Sequence, residues 1–250
     1  MSQWVTPESG RLADYRAHYR ADADLIADPA DLPPVRGASE ARRLHAIVRL
    51  LGLRPGDRVA DVGCGSGWLS DLCRRQGARV LAADIAPAGV AAARRRYPEV
   101  GHFTAADVYH LPMRPGAFDV VVLSEVLEHL EDLDAALDQV RALLRPGGRL
   151  LVAVPHRETI LQHLCVHCNR LTPANAHLHS FDEQTLCRLL RDHGMTPVRA
   201  LRLANKLLEL LGLPHRTRWL PHALWRAMDG AFNRLTGKAG FLVVLATADA

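Results

Sequence analysis

The apolar positions of this chain change their period several times, and each change marks an element. Leu44, Ile47, Val48 and Leu51 fall at i, i+3, i+4 and i+7, one stripe of a helix that Ser39 caps. Gly52 and Pro55-Gly56 end it. From there short β-branched runs alternate with helical segments. Arg58–Val62, Arg79–Ala83, Val100–Ala105, Phe118–Leu123, Arg149–Val154, Val198–Leu203 and Phe241–Ala246 read as strands. Trp68–Gln76, Gly89–Arg96 and Asp132–Leu144 read as helices. In the last of these Leu133, Leu137, Val140 and Leu144 form one stripe, with acids at its start and Arg141 and Arg145 at its end, as the helix dipole prefers. Ser180 and Glu183 make a capping box that opens a helix ending at Gly194. This alternation predicts an α/β fold, a doubly wound and mostly parallel sheet with helices on both faces.

The polar stretch 1–38 reads as an N-terminal arm with one short helix around Leu12–Arg20. Residues 39–250 read as a single domain, with insertions at about 156–180 and 205–238. In the second insertion Leu220, Leu224, Met228, Phe232 and Leu235 form an apolar stripe, expected to pack as core or as a lid over an acceptor pocket, with a lipid-binding face as the alternative.

Composition narrows the class. A chain of 250 residues, 48% apolar, supports one full core. Its net charge of +4 is too small and too local for a nucleic-acid-binding face, since residues 194–250 carry eight Lys/Arg against three Asp/Glu. No apolar run approaches the ~18 residues of a membrane span, and the first residues lack a secretory pattern. Five cysteines, an odd number, argue for reduced thiols and a cytoplasmic protein.

Chemistry concentrates directly after the first strand, in Asp61-Val-Gly63-Cys-Gly65-Ser-Gly67. Glycines there let the backbone approach a ligand, and the next helix presents free N–H groups to it. Asp84 ends the second strand, 21 residues after Gly63, where a carboxylate accepts from ribose hydroxyls. The nicotinamide fingerprint needs glycine at position 68, which is Trp68, and no Gly-Lys-Ser/Thr ending is present for a triphosphate.

These residues resemble the class I S-adenosylmethionine (SAM) dependent methyltransferases, small-molecule type, similar to those of quinone biosynthesis. DVGCGSG is similar to the family's first motif. Ala106-Asp107-Val108 resembles its adenine-proximal segment, while Ser124–Leu130 (SEVLEHL) and Leu144–Pro155 resemble the motifs at strands four and five. The resemblance implies a seven-stranded Rossmann-like sheet with the last strand antiparallel. It also implies a SAM site on Asp61, Gly63, Gly65, Gly67, Asp84, Ile85, Asp107, Val108 and Ser124, with Asp107 accepting from the adenine amino group. The expected reaction is methyl transfer to a small, partly apolar acceptor. The alternatives are a SAM-binding regulatory subunit without catalysis and a protein or RNA methyltransferase.

Two further features stand apart. His156 follows strand five, where its ring can serve as a general base or simply pack; His129 reads as a packing or capping residue. Residues 156–193 hold six of the 13 histidines and three of the five cysteines. Cys165-x-x-Cys168 with His177 suits a structural zinc, with His179 or His163 as a possible fourth ligand. A redox pair and plain loop residues are the other readings.

Overall fold

The structure is a computed structural model that describes residues 16–17, 19–20, 27–164, 169 and 171–249. Its elements in chain order are α1 (Pro34–Leu51), β1 (Arg58–Val62), α2 (Trp68–Arg75), β2 (Arg79–Asp84), α3 (Pro87–Arg96), β3 (His102–Ala105), β4 (Phe118–Ser124), α4 (Leu133–Leu143) and β5 (Leu144–Pro155). There follow β6 (Gln162–Leu164), β7 (Leu171–Pro173), α5 (Glu183–Asp192), β8 (Met195–Asn205), α6 (Lys206–Leu210), α7 (Leu213–Arg216), α8 (His222–Thr236) and β9 (Ala239–Ala248).

Seven strands form one sheet in the order β3-β2-β1-β4-β5-β9-β8. The first five run parallel, and β9 runs antiparallel to both its neighbours, β5 and β8. Alternation along each strand divides two apolar cores. Val120 and Val122 join Val59, Val80 and Leu151 beneath α1 and α2, while Val121 and Leu123 join Ala60, Leu150 and Val152 beneath α4 and α5. Because both faces are covered, these strands read as continuous apolar runs. Strand order reverses between β1 and β4, and the crevice beyond their C-terminal ends is where such sheets bind ligands.

Several local expectations shift. α1 starts at Pro34, not Ser39, because Pro33 and Pro34 already supply the fixed φ of a first helical turn. Ser39 is buried inside the helix, and its hydroxyl donates to Glu209 on α6. α5 is capped by Asp182 with Thr185, not by Ser180 with Glu183. Phe181, just ahead of that cap, is buried with Leu186 four residues into the helix, and this apolar staple sets the register. Gln162–Leu164 and Leu171–Pro173 pair antiparallel as β6 and β7. Among the described residues no helix is long and apolar enough to cross a membrane. Of the expected Leu12–Arg20 helix, Arg16, Ala17, Tyr19 and Arg20 are described and are helical.

The 205–238 stripe does not pack as expected. Leu224 is 57% and Leu235 84% exposed, while α8 turns Trp225, Asp229 and Asn233 inward. The end of β8 demands this face. The N–H groups of Ala204 and Asn205 donate to the Asp229 carboxylate at 3.2 and 2.8 Å. Asn233 accepts from the Asn205 amide at 2.8 Å and donates to the Arg202 carbonyl at 3.1 Å. Buried backbone donors outrank an apolar stripe when a helix chooses its face. Asp229→Ala therefore leaves two buried N–H groups unpaired and should lower the unfolding free energy in urea by about 2–4 kcal/mol. Leu235→Ser should stay within about 0.5 kcal/mol of the parent. Equal effects of the two substitutions would contradict this assignment.

Candidate functional site

The crevice is built from the backbone first. Beyond β1 the N–H groups of Gly63 and Cys64 both donate to the Ala83 carbonyl, at 2.8 and 2.9 Å. The N–H of Gly65 donates to the Asp84 carboxylate at 2.9 Å. Gly63 has φ +77°, and a Cβ there would overlap the Cγ2 of Val126. Gly67, at φ +82°, turns the chain into α2. Under the loop lies Asp61, only 1% exposed, which accepts the Ser70 hydroxyl at 2.5 Å. Burial pushes its carboxyl up to about 6; the Ser70 hydrogen bond opposes the rise and the Asp84 charge adds to it.

Asp84 is also buried, and its second oxygen accepts the Ala86 N–H at 3.0 Å. Each oxygen keeps a lone pair for a ligand hydroxyl. A cavity opens beside it. Gly63, Asp84, Ile85, Ala106 and Val108 line one wall, Glu125, Val126, His129 and Leu130 the other, and Tyr19 borders it. Gly65 and Ser66 line an adjoining hollow that also has Asp84 in its wall. Asp107 stands between Ala106 and Val108, accepting the Tyr109 N–H at 3.1 Å and pairing with Arg16 at 3.0 Å. Ser124 ends β4 and accepts from the guanidinium of Arg43 at 3.2 Å. The structure thus brings Gly63, Asp84, Ile85 and Val108 to one cavity, with Gly65, Asp61, Gly67, Asp107 and Ser124 around it.

The far wall holds residues that the sequence reading passed over. Glu125 has φ +59°, a conformation that non-glycine residues adopt at a cost, fixed here by its N–H to the Ala153 carbonyl at 2.8 Å. Its Oε1 lies 3.6 Å from the buried Arg43. Burial pushes this carboxyl up to about 8, against the attraction of Arg43 and with repulsion from Glu40 and Glu158. Glu128 is fully buried, and burial followed by the Glu125 charge raises its carboxyl well above the usual range. Their signal was positional: SEVLEHL follows the strand beside the reversal point.

His129 lines the cavity, and His156 is not among its lining residues. His156 is 6% exposed at the end of β5, where its N–H donates to the Gly240 carbonyl at 2.9 Å. Burial first, then Arg202 and Arg157, lower its pKa and favour the neutral ring. Of the three expected zinc ligands, Cys165 and Cys168 lie outside the described residues. His177 is described, and its ring stands edge-on to that of His129 with centroids 4.7 Å apart.

The family model described as "Methyltransferase domain" matches residues 37–200, more than half of the chain. The chain belongs to that methyltransferase family. This methyltransferase domain is 39% identical over 130 residues to the ubiquinone biosynthesis O-methyltransferase of Xylella fastidiosa (strain 9a5c), covering 49% of this chain and 53% of that protein. The chain spans about half the length of the curated relatives it matches. Among solved structures it resembles the 1,6-didemethyltoxoflavin-N1-methyltransferase of Burkholderia thailandensis, with bound 1,6-didemethyltoxoflavin and S-adenosylhomocysteine. That match has TM-score 0.58 and 24% identity, over 98% of this chain and 94% of that one. It also resembles a 4+2 cyclase, SpnF, with TM-score 0.60 and 22% identity over 84% and 81% of the two chains. These likenesses show the fold; the cyclase makes plain that the fold alone does not name a reaction.

Gly63→Ala tests the loop geometry of the methyltransferase domain. The substitution forces both a positive φ and an overlap with Val126, and should cost about 1–3 kcal/mol of stability by thermal or urea unfolding. A neutral result would mean that the loop is not held as described.

Proposed function

We propose that the chain transfers a methyl group from SAM to a small, partly apolar acceptor by in-line displacement. The observation that carries this reading is the cavity at the strand-order reversal, where Asp84 offers two anchored carboxylate oxygens beside a glycine loop. In this reading Asp84 holds the ribose hydroxyls, Ile85 and Val108 flank the adenine, and Asp107 accepts from its amino group. The glycine loop and Ser124 complete the cofactor site, with Asp61 supplying negative charge beneath it. The sulfonium already activates the methyl group, so alignment of nucleophile, carbon and sulfur supplies most of the rate, about 7–11 kcal/mol. The likeness to the Xylella relative, a ubiquinone biosynthesis O-methyltransferase, supports oxygen as the acceptor atom. A cytoplasmic setting, argued from the odd cysteine count, belongs to the same reading.

Calorimetric titration with SAM tests it. Saturable binding is expected, weakened at least tenfold, about 1.4 kcal/mol, by Asp84→Ala. No heat from a folded sample would overturn the reading. The pH dependence has a fixed sign. A cationic ligand favours ionised Asp61, whose carboxyl is pushed up to about 6, so affinity should fall as pH drops through about 6 and level off above it. Turnover is checked by mass spectrometry for a product gaining CH₂ from a metabolite extract. Label found only in macromolecules would remove the small-molecule acceptor.

A base role for His156 requires the acceptor to reach the end of β5, beyond the cavity that His129 lines. In that case His156→Gln lowers kcat by about 10²-fold or more. An unchanged kcat leaves His156 as a packing residue.

A further inference from the structure

We infer that Glu128, His129 and His177 form a binding site for a divalent transition-metal ion on the acceptor side of the cleft. One ligand atom from each lies within 4.8 Å of the others. Ligands of one tetrahedral ion with bonds of about 2.0–2.1 Å stand roughly 3.3 Å apart, so side-chain rotation of about an ångström closes the set.

A second observation is independent of that distance. Glu128 is fully buried, and neither of its carboxylate oxygens has a hydrogen-bond partner among the described residues. Burial holds such a carboxyl neutral, and in its ionised form it calls for a cation. Among the described residues the cation acting on it is Arg43. Glu125 and Glu158 add negative charge at Glu128, and the buried guanidinium of Arg43 is already engaged by Glu40 at 2.8 Å.

The third ligand is held in place from two sides. The N–H groups of Leu178 and His179 both donate to the Glu128 carbonyl, at 2.6 and 3.2 Å, which clamps the His177 segment onto the turn carrying Glu128 and His129. Glu158 bonds Nδ1 of His177, leaving Nε2 of that ring to offer a lone pair. A carboxylate bonded to the far nitrogen of a metal-ligating histidine is the usual outer partner of such a ligand.

The donor set names the class of ion. Two imidazoles and one carboxylate suit zinc, manganese, cobalt or ferrous iron, whereas calcium and magnesium prefer oxygen throughout. Three protein ligands leave coordination open, and His129 faces the cavity that Gly63 and Asp84 also line. The role of the ion rests on the methyl-transfer reading; its binding does not. In that reading the acceptor is a hydroxylated molecule whose oxygen ligates the ion, which eases loss of its proton to solvent. The oxygen's electron pair then forms the O–CH₃ bond, the S–CH₃ bond breaks, and its pair stays on sulfur.

The test uses the full chain without an affinity tag, stripped by chelator and titrated with cobalt(II) alone, followed by visible absorption. About one cobalt per chain is expected, without thiolate charge-transfer bands. Glu128→Gln and His177→Ala should each weaken uptake at least tenfold, while Cys165→Ser/Cys168→Ser keeps it. Circular dichroism and thermal unfolding of the same samples show that each variant is folded, His177→Gln replaces His177→Ala if that variant is not, and SAM is titrated into each separately. No uptake by the parent overturns the site. So does uptake unchanged in both ligand variants, or uptake with thiolate bands that vanishes in the cysteine variant. Cobalt uptake without SAM binding would keep the site and remove the methyl-transfer reading; SAM binding without cobalt uptake would do the reverse.

Discussion

The carbonyl of Ala83 accepts two N–H groups at once, those of Gly63 and Cys64, and the cleft depends on this shared acceptor. It ties the chain leaving β1 to the end of β2 before any side chain is considered. With the loop drawn sideways, Gly65 reaches the Asp84 carboxylate, and α2 starts with its N–H groups turned toward the crevice. Gly63 passes so close to Val126 that the loop and the turn after β4 set each other's position. The two walls of the cavity are therefore not independent. They meet at the Val126 side chain, which packs against the Gly63 backbone.

Strands and the glycine loop were legible because their signals are local. Val120 to Leu123 are apolar without a break, which is what burial on both faces requires, and the glycines with Asp84 keep their spacing wherever such a loop occurs. What misled lay in tertiary partners. Ser39 has the chemistry of a cap, yet its partner Glu209 lies 170 residues away. Ser180 and Glu183 have capping-box spacing, but burial of Phe181 moves the start two residues on. On α8 the inward face follows unsatisfied donors at Ala204 and Asn205, which no periodicity records. Glu128 was quoted inside a motif without a role and His129 read as a packing or capping residue, because nothing in the sequence brings His177 to them.

The sheet joins two halves with different habits. Its parallel half ends at backbone donors and carboxylates facing the crevice, while the antiparallel pair β9 and β8 is sealed by a polar seam of Asp229, Asn233 and Asn205. Arg43 spans the border. Its guanidinium sits 4.4 Å from the ring centroid of Phe241 on β9 while reaching Ser124 and Glu125 at the end of β4. A buried cation with this many attachments contributes more to fixing geometry than to net stability, since its desolvation cost offsets much of its attraction.

Tyr19 and Arg16 give the cleft a property that its walls alone lack. Arg16 pairs with Asp107, and Tyr19 borders the same cavity as Asp84 while its hydroxyl accepts the Glu131 N–H at 3.1 Å. The same surface is thus shared by a stretch of early chain and by whatever fills the cavity. Placement of Arg16 and Tyr19 and occupancy of the cavity are therefore thermodynamically linked, so that whatever either does to the free energy of the other is returned in equal measure.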